Sequence, residues 1–221
     1  MRVLIQMHRL KEQAQLNLFS PGFLIRTTVI MKHFLNIFLL LAIYAASPVK
    51  AQDSDNVPNN KAVVYFVRAK SMGSLVNFTY FDGERAIGKF NGRKYLRYEC
   101  DPGEHLFWAR SENRSFVEAN LAGGKTYMIE ALPRMGGLKA AVKLVPVDIE
   151  SHNMKKITKL FSKKDMVQFT EEEIAELQKE MTEVIVRGME RYQQGKEEGE
   201  EMAKLMPNMT IDISTIRTSP K

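Results

Sequence analysis

From Lys61 to about Asp148 the chain is a succession of short apolar runs, each closed by turn-forming residues, and this rhythm limits the folds open to it. Ala62–Arg68 reads AVVYFVR, and Leu75–Phe81 alternates so that Val76, Phe78 and Tyr80 share one face. Asp82-Gly83 marks a tight turn into Arg85–Phe90. Lys94–Cys100 runs into Asp101-Pro102-Gly103, where proline presets one turn angle and glycine supplies a positive φ. His105–Arg110 places Leu106 and Trp108 on one face, and Ser115–Leu121, Thr126–Leu132 and Lys139–Val147 complete the set. The pattern predicts a mainly β domain over 61–148, an antiparallel β-sandwich of about eight short strands, with an open barrel as the alternative.

After Asp148 the apolar period becomes helical. Asn153–Lys164 sets Met154, Ile157, Leu160 and Phe161 opposite Lys155, Lys156, Lys159, Lys163 and Lys164. This short basic helix is read as a cap on the sandwich or, alternatively, as a contact with an anionic membrane surface. One longer amphipathic C-terminal helix starts at Thr170, which forms a capping box with Glu173, while Phe169 and Ile174 take the staple positions. Its stripe runs through Ile174, Leu177, Met181, Ile185, Met189 and Tyr192, so Leu177 and Met181 must be buried on the sandwich or on a partner. Gly188, Gly195 and Gly199 each cost about 1 kcal/mol relative to alanine, and fraying is expected beyond Gln194. Residues 151–206 thus form a helical tail and 207–221 a disordered end, and the sandwich is expected to fold without them.

The other end of the chain concerns location. From Met31 it reads MKHFLNIFLLLAIYAASPVKAQ, a basic start, an apolar run from Phe34 to Ala46 and a small-residue site before Gln52. That is the grammar of a signal peptide over 31–51, cut between Ala51 and Gln52, with an apolar core short of the about 20 residues of a membrane span. Residues 1–30 read as an over-extended start and 52–60 as a flexible linker. Export to the periplasm or medium is expected, with membrane association as an alternative. Residues 1–51 carry +5 of the formal net charge of +6, so the basic pI of about 9.3 is mostly a property of the leader and no argument for nucleic acid, and no nucleic-acid partner is expected.

The segments AVVYFVR, FTYFDGERAIGKF, YECDPGEHLFWARSEN and LAGGKTYMIEALP, within residues 62–147, resemble a bacterial family catalogued as domain of unknown function 2846. The strand–DG–strand plan is also similar to the small immunoglobulin-like and transthyretin-like modules of bacterial envelope proteins. The resemblance implies an exported β-sandwich and lends no activity. Family members often carry lipoprotein signals, and this chain departs from them because no cysteine stands at the end of its leader.

Catalytic candidates are few. Beyond the leader only His105 and His152 remain, and the single cysteine, Cys100, excludes an intrachain disulfide or a CxxC metal site. Cys100 is read as a strand-end thiol without a base, and His105 as a structural residue with a carboxylate partner as the alternative. No G-x-S-x-G elbow, P-loop or HExxH occurs, so no catalytic residue, metal or cofactor is expected. Trp108 is expected to pack between the sheets; with Phe107, Tyr95 and Tyr98 it could instead make a sugar platform. Arg93 and Arg97, with Arg85, Lys89 and Lys94, form a solvated face that an anionic glycan or lipid headgroup could use.

The expected function is that of an exported non-catalytic module that binds or scaffolds another envelope component, most simply another envelope protein. A membrane-surface or glycan-binding protein is the second reading and an enzyme the third.

Overall fold

The computed structural model describes residues 57–136, 139–164 and 166–218. The expected signal peptide, its Ala51–Gln52 junction and the over-extended start lie outside them.

Strand β1 (Ala62–Arg68) organises the fold, because all seven of its residues are buried. An unbroken apolar strand has to be covered on both faces. It lies between β4 (Lys94–Cys100), antiparallel, and β7 (Lys125–Gly136), parallel, and β8 (Lys139–Pro146) completes a sheet of order β4-β1-β7-β8. A second sheet joins β2 (Phe78–Asp82), β3 (Arg85–Phe90), β5 (Gly103–Arg110), β6 (Arg114–Leu121) and β9 (Ala203–Leu205) in the order β3-β2-β5-β6-β9. The chain is mainly β, as its sequence predicts. Both sheets are mixed, however, where a purely antiparallel sandwich is expected, because β1–β7 and β6–β9 pair in parallel. Long connections separate both pairs, so no hairpin dictates an antiparallel partner.

The central core lies between the sheets, where Val64 and Phe66 of β1 meet Tyr80, Phe107 and Val117 of the other sheet. The opposite face of β1, Val63, Tyr65 and Val67, is covered by α1 (Lys155–Phe161) and α4 (Ile213–Thr218). Phe161 of α1 stacks on Tyr95 at 4.1 Å between ring centroids and meets Tyr65 edge-on at 5.6 Å. The apolar face of this basic helix is thus committed to the protein and cannot enter a membrane. The outer face of the second sheet carries Phe81 and Trp108, covered by α2 (Glu171–Glu180) and α3 (Thr182–Glu197).

Several expectations for residues beyond 150 are corrected. The single long helix is two, separated at Met181 (φ −95°, ψ 2°). Thr182 Oγ1 donates to the carbonyls of Gln178 and Lys179 at 3.2 and 3.0 Å, a back-bonding that bends helices. The Thr170–Glu173 capping box is present, and α3 continues past Gln194 to Glu197. Residues 203–205 are a strand, and Leu205 is fully buried in the central core. The end expected to be disordered buries Ile211, Ile213 and Ile216, and the Ile211 amide donates to the Thr126 carbonyl at 2.8 Å. These side chains fill the part of the outer β1 face that α1 leaves open. The described end of the expected linker is held too: Val57 packs on the same cluster and Lys61 N donates to Pro58 O at 2.9 Å. Ser54–Lys221 forms one compact unit, with all three apolar clusters closed inside it.

The two edges of the first sheet are met by side chains and a loop. Asn113 accepts from Val142 N at 2.7 Å and donates to Val142 O at 2.9 Å, and Ser115 Oγ accepts from Leu144 N at 2.9 Å, which occupies the outer edge of β8. Val167 N donates to Tyr95 O at 2.8 Å on the outer edge of β4.

Trp108 is fully buried, but on the outer face rather than between the sheets. It stacks on Phe81 at 3.9 Å, and its Nε1 donates to Gly83 O at 2.8 Å. The helix glycine at 188 has its reason here, since a β-carbon there would lie 2.5 Å from the Trp108 ring. Gly188→Ala is therefore expected to destabilise by about 1–3 kcal/mol through overpacking, although alanine is the better helix former by about 1 kcal/mol. Urea denaturation measures it, and a gain in stability would contradict this packing.

Candidate functional site

The site starts from a buried cation. Arg68, at the end of β1, is fully buried, and among the described residues its guanidinium has no carboxylate partner. It donates instead to the carbonyls of Gly73 at 2.5 Å, Val76 at 2.6 Å and Met72 at 3.4 Å, and it lies 3.9 Å over the Phe78 ring. Burial lowers its pKa and raises that of the neighbouring Tyr80 phenol. A desolvated charge is costly unless it is well bonded, and here the bonds fix the backbone of residues 72–76. Gly73 takes φ +61° there, and Val76 N closes the turn onto its carbonyl at 2.9 Å. The turn leaves Met72 51% and Leu75 90% exposed.

Beside this turn lies a depression of about 570 Å³ in which Lys70, Arg93, Lys155, Lys156 and Lys159 converge. Their convergence follows from the fold. Ile157, Leu160 and Phe161 point α1 inward, so the lysines at 155, 156 and 159 point away from the sheet, while Lys70 follows β1 and Arg93 precedes β4. No described lining residue is acidic, and among the described residues none of the five cations has a carboxylate within 4.0 Å. Arg93 Nε is buried and without a partner among the described residues. Such a cluster offers several donors and uncompensated positive charge to an anion.

Of the residues singled out in the sequence, Arg93, Lys155, Lys156 and Lys159 are thus brought together. Arg97 is not: it pairs with Glu99 at 3.1 Å and does not line the depression. Trp108 is withdrawn from any ligand, and the aromatic platform does not form. Phe107 faces the central core, and Tyr95 lies in the cluster on the far side of the first sheet. Leu177 and Met181 are spent under α2 and α3 against Trp108, not on a partner. Nothing local in the sequence marks Lys70, Met72 and Leu75 as part of this site, because residue 70 and α1 lie more than eighty positions apart.

Two other depressions have mixed charge. One of about 850 Å³, beside the β2–β3 turn and α2, sets Asp82, Glu84 and Glu171 with Arg85. One of about 500 Å³ sets Glu104 and Glu118 with Lys204, and Glu118 already accepts from Tyr192 Oη at 2.7 Å and Lys196 Nζ at 2.8 Å.

The structure also gathers Tyr98, Asp82, His105 and Cys100. His105 Nδ1 is 2.8 Å from Asp82 Oδ2, its Nε2 is 2.8 Å from the Asp101 carbonyl, and Tyr98 Oη donates to Asp82 Oδ2 at 3.0 Å. The Asp82 hydrogen bond, then the Cys100 side chain and the Asp101 carbonyl, raise the His105 pKa to about 10 against the opposing effect of burial. At neutral pH the ring is an imidazolium, with Nδ1–H on the Asp82 carboxylate and Nε2–H on the Asp101 carbonyl. The cluster therefore acts as an ionic clip between the β4–β5 turn and β2. The carboxylate partner is Asp82, which lies 23 positions from His105 in sequence.

The folded state holds this proton more tightly than the unfolded chain, where a histidine titrates near about 6.5. The clip's stabilisation is then complete below about pH 6.5 and is lost as pH rises through about 10. His105→Gln is expected to cost about 1–3 kcal/mol at pH 6. The gap from the parent should shrink steadily toward pH 10 in urea titrations; a gap constant with pH would contradict the charged clip.

Fold and site together define a helix-covered β-sandwich with a cationic depression beside a rigid, apolar-tipped turn. No family model, curated protein or solved structure matches the chain. Among the described residues no group of three or more His, Cys, Asp or Glu is gathered for a metal, and no helix is long and apolar enough to cross a membrane.

Proposed function

We propose that this protein is an exported, non-catalytic module of the bacterial cell envelope that binds an acidic envelope component in the depression formed by Lys70, Arg93, Lys155, Lys156 and Lys159. The observation that carries this reading is the convergence of five cations with no acidic residue among the described lining. Export, and with it the envelope setting, is supported by the leader grammar of residues 31–51. The tail supports the choice of surface indirectly: its apolar stripe is used inside the molecule, so partner contact falls to the polar faces.

Calorimetric titration with inositol hexakisphosphate, a compact soluble polyanion, tests the reading. Binding is expected at low ionic strength and should weaken as salt screens the charges. Lys155→Glu/Lys159→Glu should weaken it by at least about tenfold. An equal charge change on the opposite helices, Lys179→Glu/Arg187→Glu, should have little effect. Equal losses in both variants would mean general charge attraction and no site.

A further inference from the structure

The turn beside the depression says what kind of anion it meets. Leu75 is 90% exposed and Met72 51%, both among the largest exposures of an apolar side chain in the described residues. Single exposed apolar residues are ordinary. These two differ in being held out by construction. Arg68, a buried cation, spends its hydrogen bonds on the carbonyls of residues 72, 73 and 76, and Gly73 supplies the left-handed backbone that the turn needs. The turn also abuts the Arg93 side of the depression, since a β-carbon on Gly92 would lie 3.9 Å from Ser74 O. Met72 itself lines the depression.

We infer that the cationic depression and the Met72–Leu75 turn form one docking surface for an anionic phospholipid bilayer, in which the five cations meet headgroup phosphates and Leu75 and Met72 enter the interfacial zone. This rests on the reading that the depression binds acidic groups, and it names the source of those groups. A soluble anion would need the cations alone. A bilayer surface supplies both negative charge and an apolar layer just beneath it, the two features that this face complements. The mode differs from that of an amphipathic helix lying in the membrane, because Ile157, Leu160 and Phe161 are buried and α1 contributes only its lysines. Each cation close to an anionic surface is worth about fivefold in affinity, so loss of two should be plain.

Residues 54–221 form the compact unit and omit the apolar leader, which would bind lipid by itself. Co-sedimentation with vesicles of phosphatidylcholine, alone or with about 30 mole per cent phosphatidylglycerol, reads the interaction. The fragment is expected to sediment with the anionic vesicles at low salt and to stay in solution with the neutral ones. Lys155→Glu/Lys159→Glu should lose at least about tenfold in vesicle affinity. Leu75→Ser, at a position with almost no packing to lose, should keep the parent melting curve, lose about tenfold on vesicles and bind inositol hexakisphosphate unchanged. Binding of the polyanion with no vesicle binding, or vesicle binding indifferent to Leu75→Ser, would overturn the membrane inference and leave the anion site standing. Failure to bind the polyanion would instead remove the reading on which it rests.

Discussion

Seven consecutive residues of β1 are withdrawn from water on both faces, and every other layer of the molecule answers to that demand. One face is covered by the second sheet. The other needs cover that no strand provides, and α1, α4 and the isoleucines at 211, 213 and 216 supply it. The second sheet has the same need on its outer side, where Trp108 and Phe81 are closed over by α2 and α3. The result is a pair of β-sheets between helical layers, and the residues after 150 are part of the core rather than an appendage. At 25 cal/mol per Å² or so of apolar surface, leaving either outer face bare would cost more than a domain of this size can spare.

This constraint also shapes the candidate site. Pinning α1 through Ile157, Leu160 and Phe161 turns its lysines outward toward Lys70 and Arg93, while extending β1 to Arg68 places a cation under the 72–76 turn. The cationic depression and the exposed turn therefore share one scaffold. The surface is preorganised, because neither the lysine-bearing helix nor the turn has to be ordered when an anion arrives.

Much of the strand pattern was legible. Alternation and turn residues locate all eight strands between 61 and 148, although β2 begins at Phe78, later than the alternation from Leu75 suggests. Parallel pairing of β1 with β7 was not legible, since nothing local encodes a partner some sixty residues away. A three-residue strand such as β9 is too short to show a period. The break at Met181 depends on one hydroxyl, that of Thr182, bonding backward. The run AVVYFVR did carry a signal of burial on both faces, and with it the need for outer helices. Of the site, charge on α1 and at Arg93 could be read, but its convergence with Lys70 and the exposure of Leu75 come only from tertiary packing.

Native-state hydrogen exchange tests the dependence of these layers on one another most directly. If the helices are integral to the core, the amides of β1 and those of α3 beneath Trp108 should exchange with similar free energies, close to that of global unfolding. Exchange from α2 and α3 faster by orders of magnitude, with β1 still protected, would show a sandwich that stands without its helical cover and would contradict the account.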